Sequence, residues 1–205
     1  MAALMLATSN PGKVKELRDL LAPHFDLSGV SLLTPRDWPT PLPEVAETGA
    51  TFAENARLKA DALASATSLP ALADDSGLCV DALGGGPGLY SARWAGAAAS
   101  DADRNAKLLQ ALADVPPERR TARFVCAAAL ALPGAETWAA EGICEGIILT
   151  APRGANGFGY DPLFLLPHQD RTMAELTAEE KNRLSHRALA VARLSVPLAA
   201  LLHRS

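Results

Sequence analysis

Two adjacent carboxylates, Asp74 and Asp75, are residues whose types and spacing suggest phosphoryl chemistry. On an extended backbone, neighbouring side chains point to opposite sides, so one carboxylate could bind a metal ion while the other holds a water molecule or a second metal. Paired carboxylates bind Mg²⁺ and leave waters on it. The alternative is a solvated turn, because Ser76 and Gly77 follow and these residue types favour turns. Glu47 is a third candidate carboxylate, with a surface acid in a loop as its alternative.

A polar segment near the N-terminus is suited to binding an anion, and it reads Thr8-Ser9-Asn10-Pro11-Gly12-Lys13. It lies between an apolar run and a helical pattern, where backbone N–H groups and the helix dipole attract negative charge. Lys13 adds a positive charge, and the hydroxyl and amide side chains add hydrogen-bonding partners. The spacing is not that of a Walker phosphate-binding loop. A capped turn with a solvated lysine is the alternative interpretation.

A glycine-rich loop at residues 154–162 is the most specific segment of the chain. Its glycines allow the backbone to approach a ligand closely. Phe158 and Tyr160 flank Gly159 in a chain with only 5% aromatic residues, and an aromatic face there could stack on a base. The alternative is a rigid turn that packs into the core.

Lys181, His186 and Arg187 follow this loop. On one continuous helix Lys181 and His186 would point in different directions. If Ser185 starts a new helix, the two side chains could converge. The alternative for His186 and Arg187 is a pair of surface residues.

Hydrophobic periodicity and helix caps predict the elements that position these residues. Strands are predicted at residues 3–7, 25–33, 69–73, 78–80, 123–132 and 137–149, and helices from about 12, 52, 100, 177 and 185. The last two strands read as an antiparallel pair with a turn at Pro133-Gly134, and Pro197 predicts a kink or restart in the C-terminal helix. The pattern favours one α/β domain over residues 1–205 with a mixed central sheet flanked by helices.

Composition excludes several classes of partner. The net charge of −4 argues against general attraction to nucleic acid polymers or anionic membranes. No apolar run has the length of a membrane span. The abundance of alanine predicts a core of small side chains. The widely spaced Cys79, Cys126 and Cys144 argue against a disulfide framework or zinc site and for buried thiols in a reducing cytoplasm.

These separate signals together resemble the inosine triphosphate pyrophosphatase family, which cleaves non-standard purine nucleoside triphosphates. The matching motifs, which run in order along nearly the whole chain, are Thr8-x-Asn10-x-x-Lys13, Glu47-Thr-Gly-x-Thr51-Phe-x-x-Asn55-Ala-x-x-Lys59-Ala, Ala73-Asp-Asp-Ser-Gly-Leu78, Gly85-x-Pro-Gly-x-Tyr-Ser-Ala-Arg93, Gly154-x-x-Gly-Phe-Gly-Tyr-Asp-Pro-x-Phe164, Glu175-Leu-x-x-x-Glu-Lys181 and Ser185-His-Arg187. The Pro-rich connection at residues 34–43 and Pro197 lie outside all of them.

The resemblance implies a homodimer whose chains each have two lobes with the active site in the cleft between them. It implies hydrolysis of ITP, dITP, XTP and dXTP to a nucleoside monophosphate and pyrophosphate, which keeps deaminated purines out of DNA and RNA. Glu47, Asp74 and Asp75 would bind Mg²⁺, with Asp75 also the general base. The segment Thr8–Lys13 and Lys59 would hold the triphosphate. The residues implied for the nucleoside are Ser76, Phe158, Gly159, Tyr160, Asp161, Lys181, His186 and Arg187.

Other functions are compatible with the same residues. An ordinary nucleoside triphosphate phosphohydrolase would release phosphate instead of pyrophosphate. A septum-protein-like pyrophosphatase would prefer pyrimidines or modified bases. A non-catalytic nucleotide-sensing module would bind without turnover, although Lys13, Asp74 and Asp75 argue against it.

Overall fold

The computed structural model describes residues 2–22 and 29–202, which form an α/β fold. Its strands are β1 (Ala2–Leu6), β2 (Val30–Leu33), β3 (Ala71–Val80), β4 (Thr121–Ala131), β5 (Trp138–Ile148), β6 (Phe164–Leu166) and β7 (Arg171–Thr172). Its α-helices are α1 (Pro11–Leu21), α2 (Phe52–Thr67), α3 (Asp101–Ala111), α4 (Ala178–Leu184), α5 (His186–Arg193) and α6 (Ser195–Leu202). Short 3-10 turns lie at Pro35–Asp37, Asp81–Leu83, Gly88–Arg93, Pro117–Arg119, Asp161–Leu163 and Met173–Glu175.

The strands form one mixed sheet of seven, in the order β2-β1-β3-β4-β5-β6-β7. β1 pairs in parallel with β2 and with β3, which places Met5 beside Ala71. β6 pairs antiparallel with β5 and with β7. The prediction of an α/β fold with a mixed sheet is therefore confirmed.

The chain divides into two compact units, each with its own core. Unit 1 comprises the described residues up to Asp75, the segment Cys126–Gly142 and the described residues from Arg187 onward. Unit 2 comprises Ser76–Val125 and Ile143–His186. The single domain over residues 1–205 stays a prediction.

Alanine dominates one of the two apolar clusters of unit 1, as the composition suggests. Ala56, Ala60 and Ala64 of α2 pack with Ala71 and Ala73 of β3. Side chains this small let a helix lie close to a sheet. The second cluster of unit 1 is richer in leucine, and unit 2 has a core with larger rings; its aromatic members are Phe124, Tyr160 and Phe164.

Most predicted elements are confirmed, with differences at β3 and at β6 and β7. The prediction of two short strands, at residues 69–73 and 78–80, is wrong, because the single strand β3 continues through Asp74-Asp75-Ser76-Gly77. The chain leaves helical geometry at Ser185 and again before α6, so the new helix after Ser185 and the restart near Pro197 are confirmed. β6 and β7 were not predicted. The predicted strand 25–33 is confirmed from Val30, and residues 23–28 lie outside the described residues.

Over residues 2–22 and 29–202, none of the helices combines the length and the apolar character needed to cross a lipid bilayer.

Candidate active site

Strand β3 carries Asp74 and Asp75 side by side, with their carboxylates in different surroundings. The Oδ2 atom of Asp74 lies 2.9 Å from Lys13 Nζ and 3.0 Å from a terminal nitrogen of Arg187. Asp75 Oδ1 lies 2.9 Å from Lys59 Nζ, and its Oδ2 accepts a hydrogen bond from the side-chain amide of Asn55 at 3.3 Å. The two neighbours therefore point to opposite sides of the strand, as an extended backbone requires.

Asp74 is the centre of a buried ionic cluster in unit 1. Burial alone would raise the pKa of its carboxyl, but the charges of Lys13 and Arg187 outweigh burial and hold that pKa far below its ordinary value. Arg187 is 1% exposed and also forms a salt bridge with Glu16 of α1. Asp74 is therefore a permanent anion that fixes two cations, each from a different helix.

Asp75 has the opposite electrostatic character. Burial raises the pKa of its carboxyl above the ordinary value, and this effect exceeds the lowering effect of Lys59. A carboxylate with a raised pKa is a stronger base than one in water. Asp75 is therefore the better of the two carboxylates for accepting a proton from a water molecule.

Glu47 and Asp75 converge on one ammonium group. Lys59 Nζ lies 3.2 Å from Glu47 Oε1 and 2.9 Å from Asp75 Oδ1. Burial acts to lower the pKa of Lys59, but the nearby carboxylates outweigh it and raise that pKa, so the side chain stays charged. Mg²⁺ usually binds one or two carboxylates and completes its coordination shell with water and phosphate. Glu47 and Asp75 are suitable ligands for it, because an oxygen of each already contacts the same cation.

These two carboxylates form a partial ligand set. Within residues 2–22 and 29–202, no three or more histidine, cysteine, aspartate or glutamate side chains are grouped closely enough to hold a metal ion. Asp74, the third predicted ligand, is instead occupied on Oδ2 by Lys13 and Arg187. Glu47 and Asp75 thus fit a magnesium ion that receives its other ligands from solvent or from a substrate.

The N-terminus of α1 is closed by Asn10. The side-chain oxygen of Asn10 accepts hydrogen bonds from the N–H groups of Gly12, at 2.9 Å, and Lys13, at 3.3 Å. Thr8 Oγ1 in turn accepts from the N–H of Asn10. The capped turn proposed as an alternative is therefore present, but Lys13 is not solvated, because its ammonium binds Asp74. The positive end of the helix dipole remains directed at the segment that precedes α1.

A pocket of about 410 Å³ in unit 1 is bounded by both groups predicted to hold phosphates. Thr8 and Ser9 line one part of it and Lys59 lines another. Arg36, from the Pro-rich connection, also lines this pocket and adds a positive charge that the sequence interpretation did not single out. The pocket therefore combines hydroxyl groups with two cations and with the carboxylate of Glu44.

In unit 2, the glycine-rich loop folds around the carboxylate of Asp161. Asp161 Oδ2 accepts a hydrogen bond from the N–H of Phe158 at 2.9 Å and forms a salt bridge with Lys181. Gly157 has a φ of +74°, and a side chain there would collide with Asp161. The Lys181 ammonium also lies 5.1 Å from the centre of the Phe158 ring. The structure thus brings together Phe158, Asp161 and Lys181, three of the residues implied for the nucleoside.

The two aromatic residues of the loop have different surroundings. Tyr160 is 4% exposed, packs in the core of unit 2 and donates its hydroxyl hydrogen to the carbonyl of Ser91 at 2.9 Å. The core-packing alternative therefore describes Tyr160, whereas Phe158 is only half-buried. His186 is buried and stacks on Phe124, with ring centres 4.8 Å apart, and Ser76 is half-buried in β3. Neither His186 nor Arg187 is a surface residue.

Sequence interpretation missed Asn55 and Glu16 as members of the site. Asn55, 2% exposed, accepts from the N–H of Gly49 at 2.8 Å and donates to Asp75, so it connects the loop of Glu47 to the candidate base. Its spacing of four residues from Lys59 on α2 was the available signal. Glu16 had a similar signal, because it lies one turn after Lys13 on α1.

The sequence is similar to known proteins over nearly its whole length. A model of the Ham1 family matches residues 4–196. A protein named dITP/XTP pyrophosphatase from Geobacillus kaustophilus is 54% identical over 194 residues, which cover 95% of this chain and 93% of the relative. A protein of the same name from Bacillus subtilis is 48% identical over 201 residues, with 98% of each chain covered.

Solved structures show the same likeness. A HAM1 protein from Coxiella burnetii has a TM-score of 0.84 and 43% identity, covering 98% of this chain and 100% of that one. A nucleoside-triphosphatase, also named dITP/XTP pyrophosphatase, from Mycobacterium abscessus has a TM-score of 0.71 and 46% identity, covering 98% of each chain. Both the sequence matches and the structural matches extend over nearly the full length, and the chain therefore belongs to the Ham1 family.

Proposed function

We propose that this protein hydrolyses dITP, XTP and the related ITP and dXTP to a nucleoside monophosphate and pyrophosphate. The observation that carries the proposal is the arrangement on β3, where Asp75, which binds Lys59, lies next to Asp74, which holds Lys13. The relatives described above carry the name dITP/XTP pyrophosphatase and match over nearly the full length.

The cations of unit 1 would bind the triphosphate. Lys59 lines the same pocket as Thr8 and Ser9, and Lys13, in the first turn of α1, is fixed by its bond to Asp74. Because these ammonium groups are already positioned by carboxylates, their arrangement need not be built when the substrate binds. The substrate brings about four negative charges, so positive groups are required to offset the repulsion of a carboxylate base.

Asp75 would act on the water that attacks the α-phosphorus. The carboxylate takes a proton from the water as the new oxygen–phosphorus bond forms, and the bond between the α-phosphorus and the bridging oxygen breaks with pyrophosphate as the leaving group. Glu47 and Asp75 would hold Mg²⁺, with Asp74 as the third ligand the resemblance implies. When bound, Mg²⁺ supplies positive charge that stabilises the negative charge developing on the phosphate oxygens.

Residues of unit 2, with Arg187, would bind the nucleoside. The half-buried ring of Phe158 is the candidate for stacking on the purine, and Tyr160 would hold the loop by packing its own ring in the core. A 6-oxo group accepts hydrogen bonds, so donors favour hypoxanthine and xanthine over adenine. The further residues proposed for this part of the substrate are Ser76, Gly159, Asp161, Lys181, His186 and Arg187.

Assembly and cellular context complete the proposal. We infer a homodimer and a cleft location for the substrate from the family resemblance alone. The three cysteines are free thiols, which supports a reducing cytoplasm as the place of action.

Product analysis tests the proposed function directly. The protein is incubated with Mg²⁺ and separately with ITP, XTP, dITP, ATP, GTP or dUTP, and pyrophosphate and phosphate are measured. We expect pyrophosphate without phosphate, with dITP, ITP and XTP turned over far faster than ATP. Phosphate release would instead support a phosphohydrolase. Preference for dUTP would support a septum-like enzyme, and binding without turnover would support a sensing module.

Replacing Lys13 by alanine is expected to raise KM for ITP by about 10- to 100-fold, the range for losing a hydrogen bond to a charged group. The inhibition constant of IMP should change much less, because IMP lacks the β- and γ-phosphates. Steady-state kinetics with ITP, and IMP as competitive inhibitor, measure both. Lys15→Ala is the matched control, since Lys15 lies on the same helix with a side chain that is 70% exposed. Equal losses for ITP and IMP would refute the assignment of Lys13 to the phosphates.

A further inference from the structure

Two side chains of helix α3 bind both backbone hydrogen-bonding groups of one residue in the glycine-rich loop, Gly159. Asp101 Oδ2 accepts a hydrogen bond from the N–H of Gly159 at 2.7 Å. Asn105 donates its side-chain amide hydrogen to the carbonyl of Gly159 at 2.9 Å. Asp101 and Asn105 are four residues apart, so they lie on one face of the helix. The carboxylate of Asp101 and the amide of Asn105 thus bind the backbone N–H and the carbonyl of the same residue, Gly159.

Gly159 lies between the two aromatic residues of the loop, Phe158 and Tyr160. Its φ of +64° lies in the left-handed region that favours glycine, which leaves it with no side chain to fix its position. Tyr160, on one side, is anchored in the core by its hydroxyl bond to Ser91. Phe158, on the other side, is the half-buried ring. The orientation of the Phe158 ring therefore depends on how Gly159 is held.

The contacts of Phe158 complete this restraint. Its own N–H donates to Asp161, and the ammonium of Lys181 lies 5.1 Å from the centre of its ring. The peptides before and after Phe158 are both bound by side chains, one by Asp161 and one by Asp101. A ring that is half-buried and restrained in this way is already arranged for stacking before a ligand arrives.

Fold stability alone does not account for the amide of Asn105. Its nitrogen makes one hydrogen bond, but its oxygen is buried and has no hydrogen-bond partner within the described residues. A buried acceptor without a partner costs about as much stability as one hydrogen bond contributes. The stability gained from the hydrogen bond between Asn105 and Gly159 is therefore offset by the cost of burying the amide oxygen of the same side chain.

Asp101 belongs to a wider network that fixes its own position. Its other oxygen forms a salt bridge with Arg104 on the same helix. Arg104 also donates to the carbonyls of Ala92, at 3.0 Å, and Ala99, at 2.6 Å. Arg104 thus links the carboxylate of Asp101, which accepts the Gly159 hydrogen bond, to the segment that precedes α3. This network restrains Asp101 and, through it, the glycine-rich loop.

We propose that Asp101 and Asn105 are positioning residues that set the orientation of Phe158 for stacking on the purine. The proposal rests on the proposed function, in which Phe158 contacts the base. It assigns α3, which contains none of the residues implied by the family resemblance, a role in binding the nucleoside. Asp101 and Asn105 act through Gly159 and need not touch the substrate.

The test compares Asn105→Leu, which removes the donor at similar volume, with Asn105→Asp, which replaces it by an acceptor of the same shape. We expect either variant to raise KM for ITP and the inhibition constant of IMP by about tenfold or more, while kcat changes by less than about threefold. The inhibition constant of inorganic pyrophosphate, which lacks a base, should stay unchanged. Asp101→Asn, which keeps an acceptor, should have a smaller effect than Asp101→Ala.

Gln110→Ala, at an exposed position on the same helix, is the control and should leave all these constants unchanged. Unchanged KM and unchanged IMP inhibition in both Asn105 variants would overturn the proposal, as would an equal weakening of pyrophosphate inhibition. If one Asn105 variant does not fold, the other and the Asp101 pair decide. If the unmodified protein does not release pyrophosphate from ITP, the proposed function itself fails, which separates the two outcomes.

Discussion

Asp75→Asn is expected to fold normally and to lose about 10²–10⁴-fold in kcat for ITP, the range in which a general base contributes. Asparagine has nearly the shape of aspartate and can still accept a hydrogen bond from Lys59, so the local packing should persist. It cannot take a proton from water, and it is a weaker ligand for Mg²⁺ than a carboxylate. Both effects act on turnover, so kcat should fall much more than the affinity for IMP.

The control for this experiment is Asp81→Asn, the same chemical change just after the end of β3. Asp81 is partly exposed and pairs with Arg123, a surface interaction with a small effect on stability. Turnover of Asp81→Asn should match that of the unmodified protein. Pyrophosphate release is measured at saturating Mg²⁺ and ITP, with urea unfolding as the check on folding. Near-normal turnover in Asp75→Asn would refute the general-base role.

Local signals in the sequence were sufficient for the helix ends. Thr51 caps α2 by accepting from the N–H of Glu54 at 3.1 Å, and Ser100 and Thr177 cap α3 and α4 as predicted. Each of these contacts joins residues three positions apart, so the pattern and the contact occupy the same short segment. The carboxylate of Glu54 reaches back to Ala50, one residue before the position expected.

The solvated turn that was the alternative interpretation of Asp74-Asp75-Ser76-Gly77 is wrong, because these residues lie within β3. Turn preferences describe a segment in water, whereas here a buried strand is stabilised by distant partners. Arg187, which binds Asp74, is 113 residues away in the chain, and Asn55, which binds Asp75, is 20 away. Residue types alone made these carboxylates candidates for phosphoryl chemistry. Their partners, and hence their opposite pKa shifts, depend on tertiary contacts that no local pattern contains.

The same limit applies to the glycine-rich loop. Its motif identified Phe158 and Tyr160 as candidates for stacking, but both are aromatic residues next to Gly159 and the sequence does not distinguish them. Only the packing of Tyr160 against the core of unit 2 leaves Phe158 as the half-buried ring. Asp101 and Asn105, which hold the loop, lie more than 50 residues earlier, at separations of 58 and 54 from Gly159.

Arg187→Met is expected to lower the free energy of unfolding by about 3–5 kcal/mol, the range for removing one partner of a buried ion pair. Methionine keeps much of the volume, so the loss reflects charge more than packing. It leaves the fully buried Asp74 with Lys13 as its nearby cation and leaves Glu16 without its arginine partner. Urea unfolding measures the change. Arg193→Met is the matched control, because Arg193 is exposed on the same helix. Its guanidinium donates to the backbone carbonyl of Glu141.

The loss in Arg187→Met should depend on pH in a direction that the cluster fixes. In the unmodified protein the pKa of Asp74 is lowered, so this group stabilises the fold above its ordinary pKa and that stabilisation is lost as the pH falls. Without Arg187 the folded-state pKa of Asp74 rises, and protonation relieves a buried negative charge that has lost its arginine partner but keeps Lys13. The stability gap between variant and unmodified protein should therefore narrow as the pH falls toward the ordinary carboxyl pKa of 3.8, whereas the gap for Arg193→Met stays constant. A gap that is independent of pH would mean that Arg187 stabilises the fold by packing and not through the charge of Asp74.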